Sequence, residues 1–589
     1  MNKKKVNLLQ VFIEIIKLSP IKFILEYLFT ILDAVFMGLI TIQLGNVFTG
    51  AVDFFNHNVN WKDVMNSLIV LLIYNILGQV SSGISSYYGE FYSGYSVQFL
   101  MKELNRKISK LPSICFEDPE MMNLIKSARV GARSVRSVLN VVMDVICLYI
   151  PYYIIIGTYL YSLKPILCFS LLFVFFPVLI GQIIKRKYYG QLKEIQAPLR
   201  RKKAIYKSYI TDRGYLKETR SLRAENYFFR LFKGTAINYH DFNFIFHRRA
   251  NRIDAVAQMF TLLGYGGVIS LSIAGIVKGD IRVASFSAIY ASLSNLFELM
   301  EELLDWRMNE VVEVYGDVRK YIEFLNFDIK DIPAVRLEKD IETVELKDIS
   351  FSYPTKDDVL KDINLTLRKG ESLAIIGENG SGKTTLSRLI LGLYSPKDGE
   401  IFYNGISNYK ISSAQIYDNS SAVFQNFNHY KLSIGDNVKV SDFTKKNSLD
   451  DLVKCLNWAG IDKDNPKFFN GLDTIMSREF GGIELSGGEW QRIAIARGVY
   501  KEHGIIVLDE PTAAIDPIQE NEIFMKFREL SNNAISIIIT HRLAAIKYCT
   551  KIIVLNKGRI VAEGTHEELL DSSAEYRRLW KAQARLYAN

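Results

Sequence analysis

Cysteine is scarce in this chain of 589 residues, and the few that occur are not arranged in pairs. Five scattered cysteines, an odd number without close spacing, fit neither a disulfide framework nor a zinc site. They are Cys115, Cys147, Cys168, Cys455 and Cys549. The basic start Met1–Lys5 is followed by Glu14 and Lys17 and by no small-residue cleavage site, so we do not expect a signal peptide. Nothing in this composition requires an oxidising compartment.

Charge is nearly missing from six long stretches before residue 310, each long enough for the roughly 20 apolar residues that cross a bilayer. The first stretch is the least regular because it contains Glu26 and Asp33. We predict six membrane spans within a domain covering residues 21–310, at 21–49, 64–88, 137–162, 165–184, 256–277 and 282–304. Residues 1–20 show apolar residues at helical spacing, which predicts an amphipathic helix on the membrane surface or, equally, a plain exposed helix.

The net charge of +9 is concentrated beside the apolar stretches, which favours membrane orientation over nucleic-acid binding. Two long connections, 89–136 and 185–255, are basic, whereas the other three are short and nearly neutral. The positive-inside rule therefore predicts that both connections and both chain termini are cytoplasmic. Both connections are rich in helix formers, so we expect helical limbs whose tips, near 116–123 and 221–230, dock on a cytoplasmic domain. Solvated limbs without a coupling role are the alternative.

Beyond a charged linker at 311–340, residues 341–589 alternate strand-like and helix-like segments, the pattern of an α/β domain. A G-x(4)-G-K-T pattern lies there between an apolar strand and a helix. Its backbone N–H groups and Lys383 are suited to phosphate, and the Thr384 hydroxyl is suited to Mg²⁺. An ordinary glycine-rich turn is the alternative. The phosphate-binding residues predicted from this pattern are Gly377, Asn379, Gly380, Ser381, Gly382, Lys383, Thr384 and Thr385.

Further motifs follow the phosphate loop in a fixed order. An apolar strand at 505–510 ends in two carboxylates, and the serine and paired glycines at 485–488 open a helix, a second anion-binding start. The set consists of Tyr353, Gln425, Leu485–Arg492, Ile505–Glu510, Ala513–Asp516 and His541. Together these motifs resemble the ATP-binding subunit of ABC transporters.

The resemblance implies a multidomain fold: an N-terminal all-α six-helix transmembrane domain and a C-terminal α/β P-loop NTPase. It assigns ATP as the nucleotide, with Mg²⁺ held by Thr384, Gln425 and Asp509. Glu510 would polarise the attacking water, with His541, Gln425 and Lys383 as the other catalytic residues. Tyr353 lies at the position where this family stacks an aromatic side chain on the adenine ring. Ser486 and Gly488 of one chain would close over ATP bound to the other chain of a pair. Gly487 and Asp516 are further nucleotide-binding residues that the resemblance implies.

A half-size exporter, with the spans fused ahead of the ATPase, is therefore the predicted function. Because every catalytic position is filled, we expect a homodimer with two competent sites, and a heterodimer with a degenerate partner remains open. Glu489–Gln491 and the segment 478–484 look more like the peptide- and bacteriocin-exporting branch than the multidrug branch. Amphiphilic drugs or lipids are the alternative cargo, and an ATP-gated channel or sensor is the alternative from another class. We expect no peptidase domain before the first span, so a peptide cargo would be cleaved elsewhere.

Four carboxylates in the predicted spans bear on the cargo, because such groups are costly in lipid and usually face a water-filled path. In two copies they would form an acidic vestibule suited to a cationic peptide. Pairing with a neighbouring Arg or Lys, or a place near a helix end, is the alternative for each. The four are Asp33, Asp144, Asp254 and Glu298.

Overall fold

The computed structural model divides the chain into two compact units. The first comprises residues 1–109 and 123–327, and the second comprises residues 110–122 and 328–589. The structure describes all residues except 1–5, 169–179, 182–183, 185–197, 280–282, 330–334, 338–339, 446–448, 512–516, 541–545, 548 and 588–589.

The first unit is built from helices, many of them longer than a bilayer requires. Trp61–Ile108 alone has 48 residues, or about 72 Å at 1.5 Å per residue, so it continues well beyond a 30 Å apolar layer. The segment predicted as a linker, 311–340, contains most of the last helix of this unit, Met308–Asn326. The helices with both ends among the described residues are Leu8–Leu18, Pro20–Phe55, Trp61–Ile108, Pro119–Asp144, Ile150–Leu163, Arg213–Ser221, Glu225–Val277, Val283–Glu301 and Met308–Asn326, with π-helical turns at Val145–Tyr149 and Glu302–Arg307.

Four helices in the described part of the chain are long and apolar enough to span a membrane, with mean hydropathies of 1.7 to 2.0. They contain the first, second, third and fifth predicted spans. The fourth, 165–184, falls mostly outside the described residues. The sixth forms the helix Val283–Glu301, which is not among the four. The four are Pro20–Phe55, Trp61–Ile108, Pro119–Leu163 and Glu225–Val277.

The N-terminal helix Leu8–Leu18 begins at a capping box in which Asn7 and Gln10 bond each other's backbone. Its Val11, Phe12 and Ile15 are buried, whereas Leu9 is 65% exposed. The Tyr92 hydroxyl donates a hydrogen bond of 2.5 Å to the Ile15 carbonyl oxygen, and this bond connects the N-terminal helix to Trp61–Ile108. The amphipathic pattern thus corresponds to a helix packed along one face.

Glu26, which made the first span irregular by composition, is paired inside the protein. Nη2 of Arg136 lies 2.6 and 2.8 Å from the two carboxylate oxygens of Glu26. Arg136 is 1% exposed and lies over the ring of Tyr92, 4.7 Å from its centroid. The charge of Glu26 is therefore compensated by a residue just before the third span.

Asp144, one of the four carboxylates weighed above, also has a cationic partner. Its Oδ2 lies 3.5 Å from Nη1 of Arg307, and Arg307 Nη2 lies 3.1 Å from Oε1 of Glu302. The π-helical turn Val145–Tyr149 directly follows Asp144, and the π-helical turn Glu302–Arg307 contains the other two residues. Pairing, the alternative reading, thus applies to Asp144.

The second unit contains two sheets. A four-stranded antiparallel sheet has the order β2-β1-β4-β5, and a six-stranded sheet has the order β10-β9-β3-β8-β7-β6. In the second sheet β6, β7, β8, β3 and β9 run parallel, so their carboxyl ends meet at one edge. The strands are β1 Thr343–Tyr353, β2 Lys356–Arg368, β3 Ser372–Gly377, β4 Asp398–Tyr403, β5 Ile406–Ser407, β6 Ser420–Val423, β7 Ile505–Asp509, β8 Ile535–Ile539, β9 Lys551–Asn556 and β10 Arg559–Gly564.

Helices cover both faces of the six-stranded sheet, whose central strands are fully buried. The burial of β3, β7 and β8 explains their continuous runs of Ile, Leu and Val. The helices are Lys383–Ile390, Ser413–Asp418, Ile434–Lys439, Leu449–Trp458, Gly487–Tyr500, Pro517–Ser531, His566–Ser572 and Ala574–Tyr587.

One short segment from early in the chain belongs to this unit. The turn Ser113–Glu117 brings a glutamate carboxylate 2.7 Å from the Tyr394 hydroxyl, which donates to it. Ile114 packs against the apolar core that the four-stranded sheet shares with β3. The tip that we predicted near 116–123 therefore overlaps the segment 110–122, which belongs to the same compact unit as the α/β domain.

Candidate active site

The phosphate loop follows β3 directly and ends where the helix Lys383–Ile390 begins. Two of its glycines have no substitute. Gly377 has φ +150°, and a Cβ there would lie 2.1 Å from the Leu555 carbonyl oxygen. Gly382 has φ +106°, and its Cβ would lie 2.7 Å from Cδ2 of Leu360. The loop can close tightly only because both positions lack a side chain.

The polar groups of this loop are oriented for an anion. Nζ of Lys383 donates to the carbonyl oxygens of Gly377 and Glu378, both at 2.9 Å, and the lysine is 7% exposed. Burial lowers the pKa of Lys383, while the carboxylates of Glu510 and Asp509 oppose that shift. The buried hydroxyl of Ser381 has no hydrogen-bond partner among the described residues. A phosphate would satisfy this hydroxyl and stabilise the lysine charge.

Two neighbouring carboxylates stand at the carboxyl end of β7. Asp509 is 3% exposed, and its Oδ2 accepts from Thr384 Oγ1 at 3.0 Å. Burial raises the pKa of Asp509, and the Thr384 hydrogen bond acts in the opposite direction. Oε2 of Glu510 accepts from Gln425 Nε2 at 2.6 Å. The structure thus brings together the predicted residues of three separate motifs at one sheet edge.

The backbone around Glu510 is unusual for a residue that carries a side chain. Its φ is +49°, in the left-handed region, which costs energy for a residue other than glycine. Its N–H donates to the Ile539 carbonyl oxygen at 2.9 Å, and its own carbonyl oxygen accepts from Gln491 Nε2 at 3.3 Å. These bonds hold the turn that aims the carboxylate at Gln425.

Tyr353 lies beside the phosphate-loop helix. Its hydroxyl is 3.1 Å from Oγ1 of Thr385, and its ring meets those of Phe351 and Tyr394 edge to face, with centroids 5.1 and 5.7 Å apart. It is partly buried, which leaves part of the ring accessible. Asn379 and Gly380 form the exposed crest of the loop.

The signature segment opens the helix Gly487–Tyr500. Ser486 is its N-cap, and its hydroxyl accepts from the backbone N–H of Glu489 at 3.3 Å. A Cβ at Gly487 would meet nothing within 4 Å, so this helix start is open to a ligand or another chain. Two predicted site residues, Asp516 and His541, lie outside the described residues.

Two cations next to these loops were missed by sequence reasoning. Arg578, on the last helix, lies 2.5 Å from Oε1 of Glu378 in the phosphate loop. Nζ of Lys467 lies 2.7 Å from each carboxylate oxygen of Glu489. Both pairs join residues far apart in the chain, by 200 and 22 positions. One hint of these pairs is present in the sequence: each phosphate-binding motif contains a carboxylate, Glu378 or Glu489, that needs a cation nearby.

Comparison with known proteins is consistent with this geometry. Residues 360–513 match the family model for ABC transporters. The chain is 28% identical over 533 residues to the subtilin transport ATP-binding protein of Bacillus subtilis, an alignment that covers 87% of this chain and 85% of that protein. It is 40% identical over 247 residues to the nisin transport ATP-binding protein of Lactococcus lactis subsp. lactis, covering 41% of each.

A relative named for a different activity is also found, together with a solved structure. An ATP-dependent lipid A-core flippase of Legionella pneumophila is 30% identical over 366 residues, covering 60% of this chain and 61% of that protein. A bacterial Atm1-family ABC exporter with ATP bound shares the fold with a TM-score of 0.77 at 19% identity, covering 95% of this chain and all of that one. Residues 360–513 therefore form an ABC transporter domain, and the chain joins helices long and apolar enough to span a membrane to this ATP-hydrolysing domain in a single polypeptide.

Proposed function

We propose that this chain exports a peptide across the cytoplasmic membrane, driven by ATP hydrolysis in a pair of identical subunits. The observation that carries the proposal is the meeting of Lys383, Thr384, Asp509 and Glu510 at one sheet edge in a chain that begins with long apolar helices. The exporter relatives support ATP-driven export. The proposal consists of two identities: a peptide as the cargo, and a second copy of this chain as the other subunit.

In the proposed reaction, the phosphate loop binds the β- and γ-phosphates of ATP. Lys383 moves its ammonium from the loop carbonyls to the phosphate oxygens. Glu510 accepts a proton from the attacking water, and the hydrogen bond from Gln425 orients the Glu510 carboxylate for this role. His541 is proposed to contact the γ-phosphate and Tyr353 to stack on adenine.

The residues at this edge also fit Mg²⁺. The Thr384 hydroxyl, the Asp509 carboxylate and the Gln425 amide oxygen are hard oxygen donors, and one carboxylate suits an ion that shares its shell with phosphates and water. No cluster of three or more His, Cys, Asp or Glu side chains that could hold a metal occurs among the described residues. When bound, the ion would neutralise charge on the phosphates.

We propose that Ser486, Gly487, Gly488 and Asp516 of one subunit complete the site of the other. This arrangement predicts complementation between two inactive variants. Lys383→Ala removes the phosphate-loop charge, and Gly488→Asp blocks the open helix start. In a mixed dimer, the wild-type phosphate loop of one subunit faces the wild-type signature of the other, so one site is intact.

The two variants would be co-expressed with different tags, and the mixed dimer would be isolated by both tags and assayed for phosphate release. We expect activity in the mixed dimer and none in either variant alone. An inactive mixed dimer would contradict completion across subunits. A purified wild-type chain that hydrolyses ATP only after a second polypeptide is added would contradict the homodimer.

The proposed orientation places both termini and the ATPase in the cytoplasm. The basic connections 89–136 and 185–255 support it through the positive-inside rule. The docking of Ser113–Glu117 on the α/β unit supports it too, because a connection that touches the ATPase must share its side of the membrane.

Cargo class is tested by stimulation of ATP hydrolysis in lipid vesicles. We expect cationic peptides to raise the rate of the purified chain saturably, because exporters couple cargo binding to closure of the ATP sites. Lipopolysaccharide lipids, suggested by the flippase relative, form the second arm, with neutral peptides of equal length as the matched control. Stimulation by lipid alone would favour the lipid exporter. Equal stimulation by neutral and cationic peptides would exclude charge as the basis of recognition.

A further inference from the structure

The fifth position of the signature segment is a carboxylate, and this carboxylate bonds the signature serine. Oε2 of Glu489 accepts from the Ser486 backbone N–H at 2.7 Å and from the Ser486 hydroxyl at 2.9 Å. The start of a helix favours anions, and this start is one that we propose for ATP phosphate. An uncompensated carboxylate three residues after Ser486 would repel the nucleotide.

A single lysine compensates this charge within the same subunit. Lys467 Nζ is 2.7 Å from both oxygens of Glu489, and the two side chains are 35% and 33% exposed. The lysine is held at its base, because its backbone N–H donates to Asn465 Oδ1 at 3.0 Å and the following residue, Phe468, is buried in the core. The ammonium is thus placed by its own loop.

The charge state of Glu489 agrees with this geometry. Partial burial acts to raise the pKa of the carboxyl, but the bonds from Lys467 and Ser486 outweigh burial and hold the pKa below its usual range. Glu489 is therefore a carboxylate at neutral pH, and Lys467 is the cation in contact with it.

We propose that Lys467 is a positioning residue that neutralises Glu489 and so allows the Ser486–Gly488 helix start to receive the phosphates of ATP. The lysine fixes the carboxylate, and the carboxylate in turn fixes the serine through two hydrogen bonds. This inference rests on the proposed function, since it assumes that ATP meets the signature segment.

Four variants test the proposal in the full-length protein by ATP hydrolysis. Lys467→Ala leaves Glu489 uncompensated, and we expect the KM for ATP to rise about fivefold, an effect that shrinks as salt is added. Lys467→Arg keeps the charge and should restore the wild-type KM. Glu489→Gln keeps hydrogen bonding to Ser486 and leaves Lys467 unpaired, so the KM should fall. The double variant Lys467→Ala/Glu489→Gln should return near the wild-type value.

Lys463→Ala is the matched control, because Lys463 lies in the same loop and its nearest carboxylate is the adjacent Asp464, at 3.8 Å. It should leave the KM unchanged. A merely structural role of Lys467 would lower the melting temperature and would not be rescued by Glu489→Gln. An unchanged KM in Lys467→Ala, or no rescue in the double variant, would overturn the inference. A wild type that fails to hydrolyse ATP would instead contradict the proposed function.

Discussion

Glu510→Gln is expected to lower ATP turnover at least about a hundredfold, the usual scale for removing a general base. The amide keeps the size of the side chain but cannot accept the proton of the attacking water. ATP should still bind, since the phosphate loop, Lys383 and Thr384 are untouched. Phosphate release measures the first effect, and binding of a fluorescent ATP analogue measures the second.

Glu502→Gln is the matched control for this prediction. Glu502 lies just before β7, the strand that Glu510 follows, but it pairs with Lys445 at 3.4 Å and is largely exposed, so its substitution should leave turnover intact. Turnover above about a tenth of wild type in Glu510→Gln would contradict a base role. The same variant separates a transporter from an ATP-gated channel: transport should stop, whereas a gate would merely close more slowly.

Glu26→Ala is expected to destabilise the membrane unit by about 3–5 kcal/mol, because it leaves the buried charge of Arg136 without a partner. The contact of Arg136 Nη2 with both carboxylate oxygens of Glu26, at 2.6 and 2.8 Å, is shielded from water, so no solvent replaces the lost carboxylate. Thermal unfolding of the purified protein in detergent, followed by tryptophan fluorescence, measures the loss.

An exposed pair in the same unit provides the control. Lys320 and Glu323 are 2.9 Å apart and about half exposed, so Glu323→Ala should change stability by less than about 1 kcal/mol. The double variant Glu26→Leu/Arg136→Met removes both charges and should recover much of the stability lost in Glu26→Ala. Equal melting temperatures for Glu26→Ala and Glu323→Ala would mean that the buried pair does not stabilise the fold.

The fold class could be predicted from sequence because its signals are local and periodic. Apolar length predicts spans, and the glycine pattern before Lys383 predicts a strand, a tight loop and a helix, all of which the structure contains. The meeting of Gln425 with Glu510 could be anticipated only through the family resemblance, because 85 positions separate them.

Pairings between distant side chains could not be predicted. In the sequence Glu26 is a charged residue inside an apolar span. Nothing in the sequence indicates that Arg136, 110 positions later, supplies the positive charge that pairs with it. Lys467 and Arg578 were missed for the same reason: a lone basic residue in a charged segment has no periodicity. The π-helical turns at Val145–Tyr149 and Glu302–Arg307 were not predicted either, since such turns are rare and occur as single turns inside α-helices.

The segment Lys110–Met122 has a consequence for biochemical work on the isolated ATPase. A soluble fragment cut at residue 341 would leave this segment behind, although it belongs to the same compact unit. Tyr394 would then lose its acceptor on Glu117, and the apolar patch beneath Ile114 would face water. Such a fragment would expose an apolar surface that the intact polypeptide covers. Self-association of the fragment would therefore not report on the contact between full-length subunits.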